Sequence, residues 1–282
     1  MVEFSFRGRR VGREGAMIMA IINRTPDSFY DGGANFADGA AMASVAKAVA
    51  EGADIIDIGG VKAGPGTDVG VAEEIARTVP FLVAVRAAFP DVVISIDTWR
   101  AEVARVACAE GADLVNDTWA AADPALIEVA AEFGAGFVCS HTGGLTPRHR
   151  PFRVRFTDIV GEVIAETTSR AEMLVRQGVP RAGILIDPTH DFGKNTWHGL
   201  ELLRRAGELV DTGWPVLMAL SNKDFIGETL GVPLAGRVDG TLAATAIAAH
   251  AGAAVFRAHQ VARTRTVLDT VATLLANRAA AS

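Results

Sequence analysis

ISIDTWRAEVARVACAEGADLVND, residues 94–117, contains one complete turn of a repeating architecture. The apolar run VVISI (92–96) leads into a helical pattern, AEVARVACAEGAD (101–113), and then into a second apolar run, DLVN (113–116). The first run is continuous in hydrophobicity rather than alternating, as a strand buried on both faces should be. The helical pattern stops at Gly111, where a chain leaving a helix commonly turns left-handed. Strand, helix, glycine and strand together read as a βα unit of a parallel sheet.

The same cadence extends in both directions. ASVAKAVAEGAD (43–54) and TLAATAIAAHAGA (241–253) are also alanine-rich helices with a terminal glycine, and Gly52-Ala53-Asp54 nearly repeats Gly111-Ala112-Asp113. Strands are predicted at 17–22, 54–58, 92–96, 113–116, 137–140, 184–187, 216–220 and 255–259. Eight such units closing on themselves make an α/β (β/α)8 TIM barrel; a doubly wound open sheet is the alternative. A chain of 282 residues suits one barrel, since these run to about 250 residues as a single unit. The expectation is one domain over 1–282, with residues 1–16 as an N-terminal extension.

The net charge of −6 argues against nucleic acid as a partner. Cys108 and Cys139 lie in helical and strand patterns without disulfide-type spacing and read as buried reduced thiols. MIMAII (17–22) is too short to span a bilayer. The expectation is a cytoplasmic protein with no membrane partner.

In such barrels chemistry sits at the C-terminal ends of the strands. Read in order, those ends supply Asn23, Asp57, Asp97, Asn116, His141, Asp187, Lys223, and Arg257 with His259. Asp and Asn side chains together match a flat heterocycle with adjacent N–H donors and a carbonyl. Arg257 and His259 are two apart on one strand, point to the same side, and suit a phosphate or diphosphate. Asn23 is a neutral oxygen donor for a Mg²⁺ that keeps most of its waters. No zinc spacing and no phosphate-binding G-x-x-x-x-G-K-[ST] loop occurs. Taken singly, each residue has a plainer reading: Asp57 as a cap, Asn116 as a loop brace, Arg257 as a buried ion-pair partner. His190, His198 and His250 read as packing or surface histidines. Convergence on one rim argues for a site.

NRTPDSFYDGG (23–33), IIDIGG with GPG (55–66), residues 94–117, LIDP with FGK (185–194), SNKDFIGETLG (221–231) and FRAHQV (256–261) resemble, in order, the signature blocks of dihydropteroate synthase. The resemblance spans nearly the whole barrel. It implies a pterin-binding (β/α)8 fold, usually dimeric, that condenses a 6-hydroxymethyl-7,8-dihydropterin diphosphate with 4-aminobenzoate in folate biosynthesis, with Mg²⁺. Asp97, Asn116, Asp187 and Lys223 match the family's pterin-ring contacts, and Phe192 lies in its FGK block as a further substrate contact. Asn23, Arg257 and His259 match diphosphate and metal contacts, with Asn23 the metal ligand. Asp57 matches an aspartate near the metal and the reacting methylene. Asp57, Asp97 and Lys223 are the catalytic set so implied.

The acceptor side departs from the family pattern. GGESTRPG is replaced by GGVKAGPG, so Val61, Lys62, Ala63 and Gly64 stand in place of Glu, Ser, Thr and Arg. TSRKS becomes LSNKD, which substitutes Asn222 for an arginine and Asp224 for a serine that contacts the benzoate carboxylate. DPGIGFGK becomes DPTHDFGK, and the SHTGGLTPRHRPFR loop differs as well. Two carboxylates about 4 Å apart repel by about 4 kcal/mol at an effective dielectric near 20. The expectation is a synthase-like paralogue that binds the pterin diphosphate, with 4-aminobenzoate activity weak, lost or redirected to another acceptor. An ordinary active synthase, a pterin-binding methyltransferase-type barrel and a non-catalytic pterin-binding protein are the alternatives.

Overall fold

The repeated Gly-Ala-Asp triplet marks how the chain builds its lower end. The computed structural model describes residues 2–25, 38–62, 64, 66–148 and 154–280. It opens with an antiparallel hairpin, β1 (Val2–Phe6) and β2 (Arg9–Arg13). The barrel strands follow as β3 (Met17–Asn23), β4 (Ile55–Gly59), β5 (Val93–Asp97), β6 (Leu114–Asp117), β7 (Gly136–Ser140), β8 (Ile184–Asp187), β9 (Leu217–Met218) and β10 (Val255–Ala258). Their neighbours run β8-β7-β6-β5-β4-β3-β10-β9, all parallel. A parallel bridge from Ile186 to Val216 brings the two outer strands together, so the sheet closes into the expected (β/α)8 barrel. The seventh barrel strand is shorter than 216–220, because its pairing is confined to Leu217 and Met218.

Around the sheet lie α1 (Asp38–Ala50), α2 (Val71–Ala88), α3 (Ala101–Ala109), α4 (Ala125–Phe133), α5 (Ile159–Arg176), α6 (Thr196–Arg204), α7 (Ala206–Val210), α8 (Asp224–Leu230), α9 (Val238–His250) and α10 (Val261–Ala280). Gly52, Gly111 and Gly252 end α1, α3 and α9 at φ of 93°, 108° and 102°, a conformation that costs a side-chain-bearing residue but not glycine. In each case the next residue's N–H reaches back to the helix: Ala53 to Ala48 O, Ala112 to Ala107 O, Ala253 to Ala248 O. The chain then turns directly into the following strand. Among the described residues no helix is long and apolar enough to cross a membrane.

The aspartates of the two triplets do the same work. Asp54 accepts the Ile18 N–H at 2.8 Å, and Asp113 accepts the Ile94 N–H at 2.9 Å, locking each new strand to its predecessor. Each carboxylate also receives one arginine from a helix, Arg265 or Arg86, and one from the hairpin, Arg13 or Arg9. The basic N-terminal segment is therefore seated on acids that the barrel repeat presents. Sequence periodicity did not announce this hairpin, because its two strands are half exposed and carry charge on their open face.

Side chains alternate along every strand. Outward residues such as Ile18, Ile56, Ile94, Val115 and Phe256 join the helices in a large shell. Inward residues Met17, Met19, Ile55, Val93, Leu114, Val138, Leu185, Leu217 and Val255 fill the lower barrel, with Phe4 and Phe6 of the hairpin packed beneath them. Gly136 permits that contact: a Cβ there would come within 2.5 Å of the Phe6 ring and 2.7 Å of Gly183 O. Because Phe6 is fully buried, Phe6→Ala should cost about 3–5 kcal/mol of stability, read as a lower urea midpoint with an unchanged slope.

Candidate functional site

One step further up each strand the inward positions become polar. Two residues after Ile55, Val93, Leu114, Leu185 and Val255 come Asp57, Ser95, Asn116, Asp187 and Arg257. The lower layer is thus oil and the upper layer is charge, set by the period of two. Asp57 is completely buried and accepts from Ser95 Oγ at 2.6 Å, from Asn116 Nδ2 at 3.2 Å to each oxygen, and from Arg257 Nε at 2.6 Å. Arg257 Nη2 then reaches Asp97 Oδ2 at 2.7 Å, and Thr118 Oγ1 donates to Asp97 Oδ1 at 3.1 Å. One guanidinium therefore bridges two carboxylates from adjacent strands. Burial pushes the Asp97 pKa above the ordinary carboxylate range; Arg257 opposes that push and Asp57 adds to it.

Above this layer opens a cavity of about 280 Å³. Asn23, Asp97, Phe192, Lys223, Arg257 and His259 line it, so six of the nine expected site residues meet there. Asp57 and Asn116 lie beneath it, bonded to one another and to Arg257. Asp187 is also outside the lining; it accepts the Thr189 N–H at 2.7 Å, and burial pushes its pKa up to about 6. Lys223 Nζ sits 4.9 Å from the centroid of the Phe192 ring, and burial lowers its pKa. His259 Nδ1 is 2.9 Å from Ser221 Oγ, and burial, with Arg257 and Lys223 nearby, lowers its pKa to about 3, so the imidazole is neutral.

Several contributors were not read from the sequence. Two of them, Trp99 and Trp119, join the expected Phe192 in an aromatic wall, with Trp119 edge-on to Trp99 at 6.5 Å and to Phe192 at 5.0 Å. The signal was present: Trp99 and Trp119 follow the strand-end residues Asp97 and Asn116 by two and three positions. Thr118 and Ser221, which orient Asp97 and His259, gave no signal beyond adjacency. His141, a strand-end candidate, is fully buried away from the cavity lining, with its Nε2 3.5 Å from Glu166 and its carbonyl accepting from Lys194 Nζ at 2.7 Å. His190 is also fully buried and packs 5.2 Å from the Phe225 ring, as expected of a packing histidine.

The opposite wall of the cavity carries the residues at which the sequence departs from the resembled family, with added partners. Val61, Lys62 and Gly64 line the cavity, as do Asp191, Asn222 and Asp224. Asp224 is not an unopposed charge: Arg237 Nη1 binds its Oδ1 at 2.6 Å. That cation lies thirteen residues downstream, beyond the reach of any local pattern. Asp191 Oδ2 accepts the Asp224 N–H at 2.6 Å. Arg148, from the loop after β7, approaches the loop after β4 at Gly64 O (3.4 Å) and Asp68 (3.6 Å). Residues 26–33 of the first signature block, Ala63, Pro65 and residues 149–153 lie outside the described residues. Among the described residues no group of three or more His, Cys, Asp or Glu side chains is arranged to hold a metal by itself.

Two measurements test this electrostatic design. Removing Arg257 strands the buried Asp57 carboxylate and the partly buried Asp97, so Arg257→Met should cost about 3–5 kcal/mol in urea unfolding, with partial recovery in the Arg257→Met/Asp57→Asn double variant. Asp187 has a folded pKa of about 6 against an ordinary 3.8, so the folded state holds its proton more tightly than the unfolded chain. Its stabilising contribution is complete below about pH 4 and is lost as pH rises through about 6. Asp187→Asn should therefore gain on the unmodified protein between pH 4 and pH 8, by on the order of 3 kcal/mol, in thermal or urea unfolding.

Comparison with known proteins agrees with this architecture. Residues 19–259 match the family model of pterin binding enzymes. The chain is 62% identical over 275 residues to a Mycobacterium leprae protein named inactive dihydropteroate synthase 2, covering 96% of this chain and 94% of that one. It is 35% identical to the dihydropteroate synthase of Escherichia coli, over 88% of this chain and 87% of the other. Among solved structures, the Yersinia pestis dihydropteroate synthase in complex with a sulfonamide drug superposes with a TM-score of 0.89 at 33% identity, covering 99% of each chain. The Mycobacterium tuberculosis protein Rv1207 gives 0.76 at 52% identity, over 96% of this chain and 97% of that one. With eight parallel strands, a charged upper layer and a match that runs from the first barrel strand to the last, the chain belongs to the pterin-binding enzyme family as a dihydropteroate synthase-like paralogue.

Proposed function

We propose that the rim binds a 6-hydroxymethyl-7,8-dihydropterin diphosphate-type ligand, while ordinary synthase turnover with 4-aminobenzoate is weak, lost or redirected to another acceptor. The observation that carries this reading is the contrast within one cavity: the Asp57–Arg257–Asp97 layer is complete, while Asn222, Asp191 and Asp224 occupy the acceptor side. In this reading Asp97 and Lys223 meet the pterin ring from the cavity lining, and Asn116 and Asp187, which lie outside that lining, take up the ring contacts the family resemblance implies once the ring sits deeper than the cavity. Carboxylates accept the paired N–H groups of such a heterocycle and the amide serves both polarities. Phe192 gives the ring an apolar face. Arg257 and His259 face the diphosphate, where Arg257 balances the charge that collects on a departing group. Asp57 and Asp97 stabilise positive charge on the pterin. Names of inactive synthases among the near relatives support the loss of ordinary turnover.

Mg²⁺ fits as a companion of the diphosphate. Asn23 offers one neutral oxygen at the cavity edge, and Mg²⁺ is usually held by one or two protein oxygens together with substrate phosphates and waters. When bound, the ion would neutralise diphosphate oxygens. The further elements of the reading are a cytoplasmic protein derived from a folate-synthesis enzyme, folded as one domain over 1–282, and a homodimer. For the last, α9 and α10 pack on each other and leave Ile247 and Leu274 more than half exposed.

Calorimetry with the pterin diphosphate and Mg²⁺ tests the pterin half, and diphosphate release on adding 4-aminobenzoate tests the acceptor half. Binding should be retained, and Asn116→Ala should weaken it at least tenfold. Release should be at least a hundredfold slower than for the Escherichia coli synthase assayed beside it. Release at a comparable rate would establish an ordinary synthase, and absence of binding would remove the pterin reading altogether.

A further inference from the structure

Asp117, the last residue of β6, lies outside the cavity lining, and its carboxylate serves the chain that follows it. It is fully buried; Oδ1 accepts the Trp119 N–H at 3.1 Å and Oδ2 the Ala121 N–H at 2.5 Å. Ala120 and Ala121 have φ of 56° and 62°, left-handed conformations that a Cβ disfavours. Two such residues in succession persist only where their surroundings fix them. A second clamp comes from Ser140 at the end of β7. Its Oγ donates to the Asp117 carbonyl and accepts the Ala120 N–H at 3.0 Å, while Arg170 Nη1 holds Ser140 O at 2.5 Å.

What this turn delivers is Trp119. The indole is buried, and its edge contacts wedge it between Trp99 and Phe192, two half-buried rings that line the cavity. Phe192 in turn carries Lys223 Nζ over its face. A shift of the turn would move the wedge and, with it, the ring faces offered to a ligand. The turn calls for a carboxylate because each N–H meets a different oxygen; an amide of the same shape would match one and set its own N–H against the other.

We infer that Asp117 is a positioning residue: it holds the left-handed turn at residues 119–121 and thereby sets the aromatic wall, Phe192 in particular, against which the ligand's ring lies. Only the identity of that ligand rests on the pterin reading above; the link from Asp117 to Trp119 belongs to the chain alone. Titration gives that link a readout. Burial pushes the Asp117 pKa up to about 6; the two backbone N–H groups and Arg170 of α5 oppose the push, and Asp123 ahead of α4 adds to it. Cys139 of β7 also faces it, and burial pushes that thiol up, so it stays uncharged. Below about pH 6 one Asp117 oxygen becomes a donor, and the N–H it accepted is released.

The first measurement is the tryptophan emission of the full chain without ligand, titrated from about pH 8 to about pH 5. Emission should shift with a midpoint near pH 6. The shift should be absent from Asp117→Asn and from Trp119→Phe, and retained in Asp187→Asn, which removes the other aspartate titrating in that range. No shift, or one that Asp117→Asn leaves unchanged, would overturn the inference. The second measurement is calorimetry at about pH 8 with the pterin diphosphate and Mg²⁺. Asp117→Asn, shown to be folded by circular dichroism, should bind at least tenfold more weakly than the unmodified chain. In a Phe192→Ala background the same change should cost about twofold or less, because the ring it positions is gone. Ser140→Ala, which removes only the second clamp, should weaken binding in the same direction and keeps the test open if Asp117→Asn does not fold. Unchanged binding, or an equal loss in both backgrounds, would reduce Asp117 to a purely structural role. Failure of the unmodified chain to bind would remove the pterin reading and the ligand half of this inference, with the emission result still deciding the link from Asp117 to Trp119.

Discussion

One guanidinium holds the centre of the barrel mouth. Arg257 is the residue that pairs two carboxylates on neighbouring strands, the buried Asp57 and the partly buried Asp97. Isolated buried charge is costly, and a buried pair is tolerated only when its remaining hydrogen-bonding capacity is met. Here Ser95 and Asn116 complete Asp57 and Thr118 completes one oxygen of Asp97, so four strands and the turn after one of them are tied to a single cluster. The cluster also sets the electrostatic conditions above it. Its cation helps to keep His259 neutral, and Asp97 and Asp187 titrate in an environment where burial favours the protonated form.

The lower end relies on a different economy. Asp54 and Asp113 each hold a strand N–H and two arginines, one from a helix and one from the N-terminal hairpin. An apolar barrel floor then closes over Phe4 and Phe6. Charge at the periphery and aromatic rings at the centre position the hairpin together, and neither would do so alone: exposed ion pairs contribute little, and two rings without a fixed approach have no register. The site at the opposite end is thereby carried on strands whose inward side chains are fixed along their whole length.

Legibility divided along physical lines. The eight strands, the three glycine-ended helices and the polar strand ends were visible because each follows from a short local pattern: a continuous apolar run, a helical stretch stopped by glycine, or a polar residue at the end of a run. The departures from the family pattern at residues 61–64, Asn222 and Asp224 were visible too, since they concern residue identities within quoted blocks. The cost assigned to Asp224 was not, because its partner Arg237 arrives from the segment that precedes α9. Likewise Trp119 could be placed near Asn116 from the sequence, but its edge-on contact with Phe192, more than seventy residues away, exists only once β6 and β8 stand side by side of β7.

What the sequence by itself determined is therefore the barrel, the rim on which polar residues gather, and the loops whose residues depart from the family pattern. These depend on local pattern and on residue type. Tertiary structure decided which of those polar residues face the cavity and which lie under it. It sent Asn23, Asp97, Lys223, Arg257 and His259 to the surface of one pocket and drew Asp57 and Asn116 into the bonded layer below. Among the described residues it also left the Asn222 amide buried without a partner. The reason is that hydrogen-bond completion and burial are properties of residues brought together from different strands, and no window of chain contains both halves of such a bond.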